Sequence, residues 1–372
     1  MNKILILYLV CFVCSCSNRR EERPLFAPIE GKKDIKYDSL SFSFFYLDSL
    51  ELMSPVGYLQ MMDSEILFLE RETGLLRIYD TLGRFKEKKM GFGRAKNEIM
   101  GSDITNFGLG TNSKEYLIFD DLCYFVFDSN YVLKTRGTME SQVHTTPSRK
   151  VHGNNPGIYT WSYRNPVVKM YNDVIYMNVN ISSRIDLFDE KERFFGEGRT
   201  LTMIDQKTGK LDKIFARYPE IYLQHDLQAF YTSRFDIDAN GFLYMSYEAD
   251  SLIYQYNQEL QQIKTFGFSG SNMTRNFRKI RSEDIVKARQ ENGFYEQIKC
   301  CDNEILLRLY KRGVGDTIHD GLQIYKGTDL VGDVSVPKDF RMIGVYHNSV
   351  YFYRECEQAS TIIVAKADLD FK

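Results

Sequence analysis

The sequence is short of the features that usually announce a function. Its 372 residues include one tryptophan, eight prolines and seven cysteines, and 48 basic side chains stand against 50 acidic ones for a net charge of -2. With neither a basic excess nor a basic block, the chain lacks the concentrated positive footprint that phosphate backbones require, so no nucleic-acid partner is expected. No pair of histidines has a ligand spacing such as H-E-x-x-H, and neither a metal nor a cofactor is expected. The one long apolar run, residues 4–13, is too short to span a bilayer. Beyond the N-terminus, Cys123, Cys300, Cys301 and Cys356 match no zinc spacing. A chain of this size needs no disulfide framework, and they read as mostly free, small buried residues.

What is present begins at the N-terminus. Lys3, the apolar run and the small residue Ser15 have the order of an export signal. The ending Val13-Cys14-Ser15-Cys16 resembles the lipobox of bacterial lipoproteins, and Ser17-Asn18-Arg19-Arg20-Glu21-Glu22 continues as a polar tether. That resemblance implies lipidation at Cys16 and membrane attachment through acyl chains, each buried methylene contributing about 0.8 kcal/mol. Ser17 in place of an aspartate implies the outer membrane of a bacterial envelope. The chain therefore divides into a signal peptide (1–15), a lipidated tether (16–37) and one domain (38–372).

Within that domain one phrase recurs six times: an apolar strand, a connection, a second apolar strand and a polar turn. The first strands are centred on Ile66-Leu67-Phe68-Leu69, Tyr116-Leu117-Ile118-Phe119, Val174-Ile175-Tyr176-Met177, Phe242-Leu243-Tyr244-Met245, Ile305-Leu306-Leu307-Arg308 and Val350-Tyr351-Phe352-Tyr353. Their β-branched and aromatic content fits strands. In the first four copies the second strand runs into Asp80, Asp128, Asp205 or Asn257, whose short side chains can hydrogen-bond the turns they open. A further strand-like piece precedes each copy, at 58–61, 104–108, 167–171, 234–237, 295–298 and 341–345. Four strands per unit at this period predict an all-β, six-bladed β-propeller with four-stranded antiparallel blades. Residues 39–46 alternate as a strand able to complete the last blade.

Taken together, the lipobox, the strand-Asx repeat and Gly91-Phe92-Gly93-Arg94-Ala95-Lys96-Asn97-Glu98 resemble the TolB-like six-bladed propeller lipoproteins of bacterial envelopes. The last segment is similar to their glycine-rich G-x-G-P-x-E, although its proline is missing and its loop is longer. The resemblance implies the propeller fold and no single activity.

In a propeller, connections between strands two and three and between successive blades open on one face. Here that face holds every long insertion, and loops on one rim of a repeat scaffold are where binding normally resides. The richest is His152-Gly153-Asn154-Asn155-Pro156-Gly157-Ile158-Tyr159-Thr160-Trp161-Ser162-Tyr163-Arg164-Asn165. Tyr159, Trp161, Tyr163 and Arg164 are the candidate ligand contacts, because rings stack on apolar faces while an arginine fixes orientation. Arg234 and His225 join them as further candidates on the same rim. Two other motifs are set aside. Asp236-Ile237-Asp238-Ala239-Asn240-Gly241 begins like a calcium loop but has Tyr247 where a bidentate glutamate is required, and Cys300-Cys301 lacks a neighbouring histidine to generate a thiolate. Ser282 is expected to cap a helix over 283–290 that covers a blade edge.

These features predict an envelope lipoprotein whose propeller binds a glycan, a peptide or an envelope protein through its elaborated face. The alternative is a glycan-active hydrolase or lyase working at the channel mouth; fold alone does not choose between the two.

Overall fold

The computed structural model describes residues 30–48, 54–139, 142–145, 157–161, 167–181, 185–301, 304–356 and 361–369. Of 142–145, 157–161 and 181, only the backbone is described. Cys16 lies outside these residues.

Six antiparallel sheets, formed by residues 57–90, 106–138, 168–217, 233–266, 294–337 and 341–368, succeed one another along the chain. Each begins at an innermost strand: Gly57–Met62, Asn106–Leu109, Val168–Tyr171, Ser233–Ile237, Phe294–Cys300 and Arg341–Tyr346. Innermost strands of successive blades touch, the last against the first, so the ring is closed. The sixth blade receives its outermost strand from the N-terminal part of the domain: Phe42–Tyr46 pairs antiparallel with Thr361–Asp368, Phe42 opposite Ala367 and Tyr46 opposite Ile363. The six-bladed propeller with four-stranded blades is thus the fold of this chain.

The core explains why the strands are apolar on both faces. Ile66, Leu67, Phe68 and Leu69 are all fully buried, two facing the cluster shared with the second blade and two facing the cluster shared with the sixth. Burying such side chains contributes roughly 1.5–3 kcal/mol each, so a blade is stable only between neighbours. The predicted Asx turns are present: Asp80 Oδ1 accepts from the Leu82 and Arg84 amides, and Asp128 Oδ1 from those of Asn130 and Val132. Asp205 and Asn257 act likewise. Asn172 and Asp173, both at positive φ, join two strands of the third blade, a backbone state that favours short Asx side chains. Cys123, Cys300, Cys301 and Cys356 are free.

Three features depart from the sequence reading. Lys33–Tyr37, within the segment read as tether, forms a strand parallel to Asp329–Pro337 on the fifth blade. The helix runs over Ile285–Glu291 after a 3-10 turn at Ser282–Asp284, and the Ser282 hydroxyl turns to Glu283 without capping it. It packs against the short turns Gln228–Phe230 and Gly313–Gly315, and its Arg289 reaches into the interior to Glu248. The third blade also carries a hairpin, Gln142–Thr145 with Gly157–Trp161, paired to the end of Val174–Ile181.

Candidate functional site

All six blades line a central cavity of about 390 Å³. Its wall carries Arg71, Lys169, Arg234, Lys299 and Arg341, with Glu296 the one carboxylate among the described lining residues. Tyr58, Phe107, Phe235 and Tyr353 supply ring surface, and Gln60, Asn106 and Gln297 supply amides. Innermost strands run from the elaborated face inward, so their first residues form the mouth. Gln60, Lys169, Asp236 and Lys299 follow the mouth residues Tyr58, Val167, Arg234 and Glu296 by two or three positions and so lie roughly 7–10 Å deeper at the strand rise.

At the mouth the cations are matched. Arg71 makes a bidentate pair with Asp103, at 2.7 and 2.8 Å. Arg234, 5% exposed, lies 3.6 Å from Glu248, itself 1% exposed. Glu248 is gripped from the other side by Arg289 at 2.8 and 2.9 Å, and that guanidinium stacks 4.1 Å from the Phe294 ring centre. Arg341 stands opposite Tyr353 in strand register, within electrostatic reach of Glu296 and Glu355. Glu296 is the extra residue of a bulge in its strand and lies 3.5 Å from Lys311. A bulge re-aims a side chain, and here a carboxylate reaches the channel. Burial pushes the Tyr58 phenol up to about 12 and that of Tyr353 upward.

The floor is different. Lys169 pairs with Asp236 at 2.7 Å, and Asp236 also accepts from the Cys300 amide at 2.9 Å. Among the described residues Lys299 hydrogen-bonds only the amide oxygen of Gln60, at 3.4 Å. Burial, and then the neighbouring Lys169, lower the Lys299 ammonium to about 8.

Of the candidates read from sequence, Arg234 alone is seen to line the cavity. His225 ends the short helix Ile221–Gln224, where its carbonyl receives the Lys191 ammonium at 3.5 Å, and it is not part of the lining. Tyr159 and Trp161 belong to the rim strand Gly157–Trp161, with only their backbone described. Tyr163 and Arg164 fall outside the described residues. Among the described residues no group of three or more His, Cys, Asp or Glu could hold a metal. Asp236 and Asp238, the start of the calcium-like motif, bind Lys169 and the turn amides of Asn240 and Phe242 instead. Sequence reasoning missed Arg71, Lys169, Lys299 and Arg341. Yet Tyr58, Arg234 and Arg341 open three of the six pieces read as innermost strands, so aligning those pieces would have set them at one height.

No protein-family model matches the chain, and no curated protein matches it in sequence. Among solved structures, a member of the DUF4221 family from Bacteroides vulgatus superposes with a TM-score of 0.63 at 10% identity, over 91% of this chain and 99% of that one. A candidate exported protein from Bacteroides fragilis gives 0.47 at 10% identity, over 91% and 99%. Virginiamycin B lyase from Staphylococcus aureus gives 0.43 at 10% identity, over 88% and 100%. The first likeness shows a shared fold; none of the three carries a ligand or reaction over to this chain.

Proposed function

We propose that this chain is a TolB-like envelope lipoprotein, anchored through Cys16 to the outer membrane, whose propeller binds a small polar ligand in the channel mouth of its elaborated face. The observation that carries the binding reading is the cavity itself: six blades converge on a volume suited to a small ligand, with several cations and aromatic rings aimed inward. The rim hairpin of the third blade rises on the same face, and Tyr159, Trp161, Tyr163 and Arg164 are proposed to hold the outer part of a glycan or peptide. The anchor rests on the sequence, and no helix among the described residues is long and apolar enough to cross a membrane.

A cluster of tyrosines, arginines and a carboxylate drawn from several blades is also what a lyase or hydrolase would use. Burial, however, moves Tyr58 and Tyr353 away from neutrality, the wrong direction for a general base, so binding stays ahead of catalysis.

Two experiments test the reading. In Cys16→Ala the protein should leave the membrane pellet or remain unprocessed, and normal processing with retention would sink the anchor. On a glycan and peptide array, Arg341→Gln should abolish capture by a protein whose circular dichroism is unchanged, while Trp161→Ala with Arg164→Ala should weaken it. Full capture by Arg341→Gln would move the site out of the channel.

A further inference from the structure

The cations of the channel form two layers with different charge balance. At the mouth each arginine has acidic partners within reach: Asp103 for Arg71, Glu248 for Arg234, Glu296 and Glu355 for Arg341. Elsewhere in the interior the same rule holds for Arg77 with Glu70 and for Lys311 with Asp320. Arg308 has the Asp250 carboxylate within electrostatic reach and is enclosed by backbone carbonyls. Among the described residues Lys299 has neither arrangement to itself, since the carboxylate within its electrostatic reach, Asp236, is already paired with Lys169. Among the described residues of the floor two ammoniums, Lys169 and Lys299, face one carboxylate, Asp236, whose oxygens already accept from Lys169 and from the Cys300 and Ile237 amides. Gln60 accepts from Lys299 and donates its own amide to the Phe107 carbonyl.

We propose that the channel floor is a carboxylate site centred on Lys299 and Lys169, which takes the acid group of a small monocarboxylate of the size of a uronic acid. The assignment rests on the reading of the channel as a ligand site and names what that ligand carries at its inner end. Charge decides the class. One uncompensated positive charge in a partly dry site is neutralised by a single carboxylate, whereas a phosphate dianion would leave a buried negative charge, which is costly. Shape agrees: the cavity of about 390 Å³ leaves room above Lys299 for a sugar-sized body against Tyr58, Phe107, Phe235 and Met342. The groups acting on the Lys299 ammonium are Lys169, Asp236, Cys300 and Cys301. Burial and Lys169 together make its proton easy to lose near pH 8, so an acid ligand would be held with that proton and released as the pH rises.

The test uses the mature chain and two readouts. Amine labelling of Lys299, followed by mass spectrometry between pH 6 and 10, reports its protonation directly. Acetate, the smallest carboxylate probe, should slow labelling at pH 8 by about fivefold, the effect of raising the pKa by roughly one unit from about 8, while chloride and inorganic phosphate at equal ionic strength should not. Labelling indifferent to acetate, or slowed equally by phosphate, overturns the carboxylate floor. Calorimetry with glucuronate and glucose then separates the two proposals. Glucuronate should bind at least about tenfold more tightly than glucose, a difference of about 1.4 kcal/mol. Lys299→Gln should erase that preference, and raising the pH from 7 to 9 should weaken glucuronate only in the wild type. Equal affinity for both sugars, or a preference that survives Lys299→Gln, leaves the channel as a ligand site and removes the carboxylate floor. Acetate protection without binding of either sugar supports the floor and tells against a sugar-sized ligand above it.

Discussion

The wall between the fourth and fifth blades and the floor of the channel each hold a cation from one hairpin, fully buried at the wall and half-buried at the floor, and they treat it in opposite ways. Arg308 faces Ile298 across the ladder, and Lys299 faces Leu307, one step along. Arg308 is fully buried, with Nε donating to Ser246 Oγ at 2.8 Å, Nη1 to the Ser251 carbonyl at 2.7 Å, and Nη2 to the carbonyls of Asp250 and Leu252. Its guanidinium lies 3.3 Å from the Tyr295 ring centre. Lys299 has one amide oxygen at 3.4 Å. Burial of a charge therefore says little until its partners are counted. A cation enclosed by backbone acceptors ties two blades together, and one left with a single weak acceptor costs stability in a place where a ligand can reach it.

The largest effect is expected at the wall. Arg308→Met leaves Ser246 and three carbonyls without their donor, and each buried acceptor left unsatisfied costs about 1–3 kcal/mol. Denaturant unfolding should show the loss; a change within error would mean that the blades are held by apolar contact alone. At the floor the sign reverses. Lys299→Met should stabilise the ligand-free protein by about 1–2 kcal/mol at pH 7, as relief of a functional strain commonly does. The lysine has a folded pKa of about 8 against an ordinary 10.5, so the unfolded chain binds more protons between those values. Wild-type stability attributable to Lys299 should then rise with pH through that window, and the advantage of Lys299→Met should fade above it. A loss of stability in Lys299→Met at pH 7 would make the floor another tie between blades. The smallest effect belongs to the mouth, where Arg71 and Asp103 are each nearly half exposed. Arg71→Gln should cost at most about 1 kcal/mol and less in high salt, since solvent already screens the pair.

Much of this architecture could be read before any coordinates. The innermost strands, the Asx turns and the closing strand follow from local alternation and short polar side chains, which a linear sequence records. Contacts that depend on the ring are harder to read. Lys169, Asp236, Lys299 and Gln60 come from four blades and meet only because the blades are arranged around an axis. The rim loop attracted notice through its tryptophan, whereas the channel is built from ordinary residues in ordinary strands. The helix Ile285–Glu291 was visible from its acidic start, but not the inward reach of Arg289 to Glu248, which depends on a partner 41 residues earlier. The strand Lys33–Tyr37 fell within the segment read as tether, and four of its five residues are exposed on the outside of the fifth blade.

The closing strand also has a consequence in time. Ser43 meets Lys366 across 323 residues of chain, so the first strand of the ring to be synthesised waits for the last. Until then the sixth blade has an open edge, and the first blade lacks its neighbour on one side. Drawing together chain ends so far apart costs on the order of 5 kcal/mol of loop entropy, a cost met once, at the end, by a single hairpin's worth of pairing and the burial on either side of it. A chain stopped short at its C-terminus would lose more than its final strand, because the N-terminal strand would have nothing to pair with and the ring could not shut.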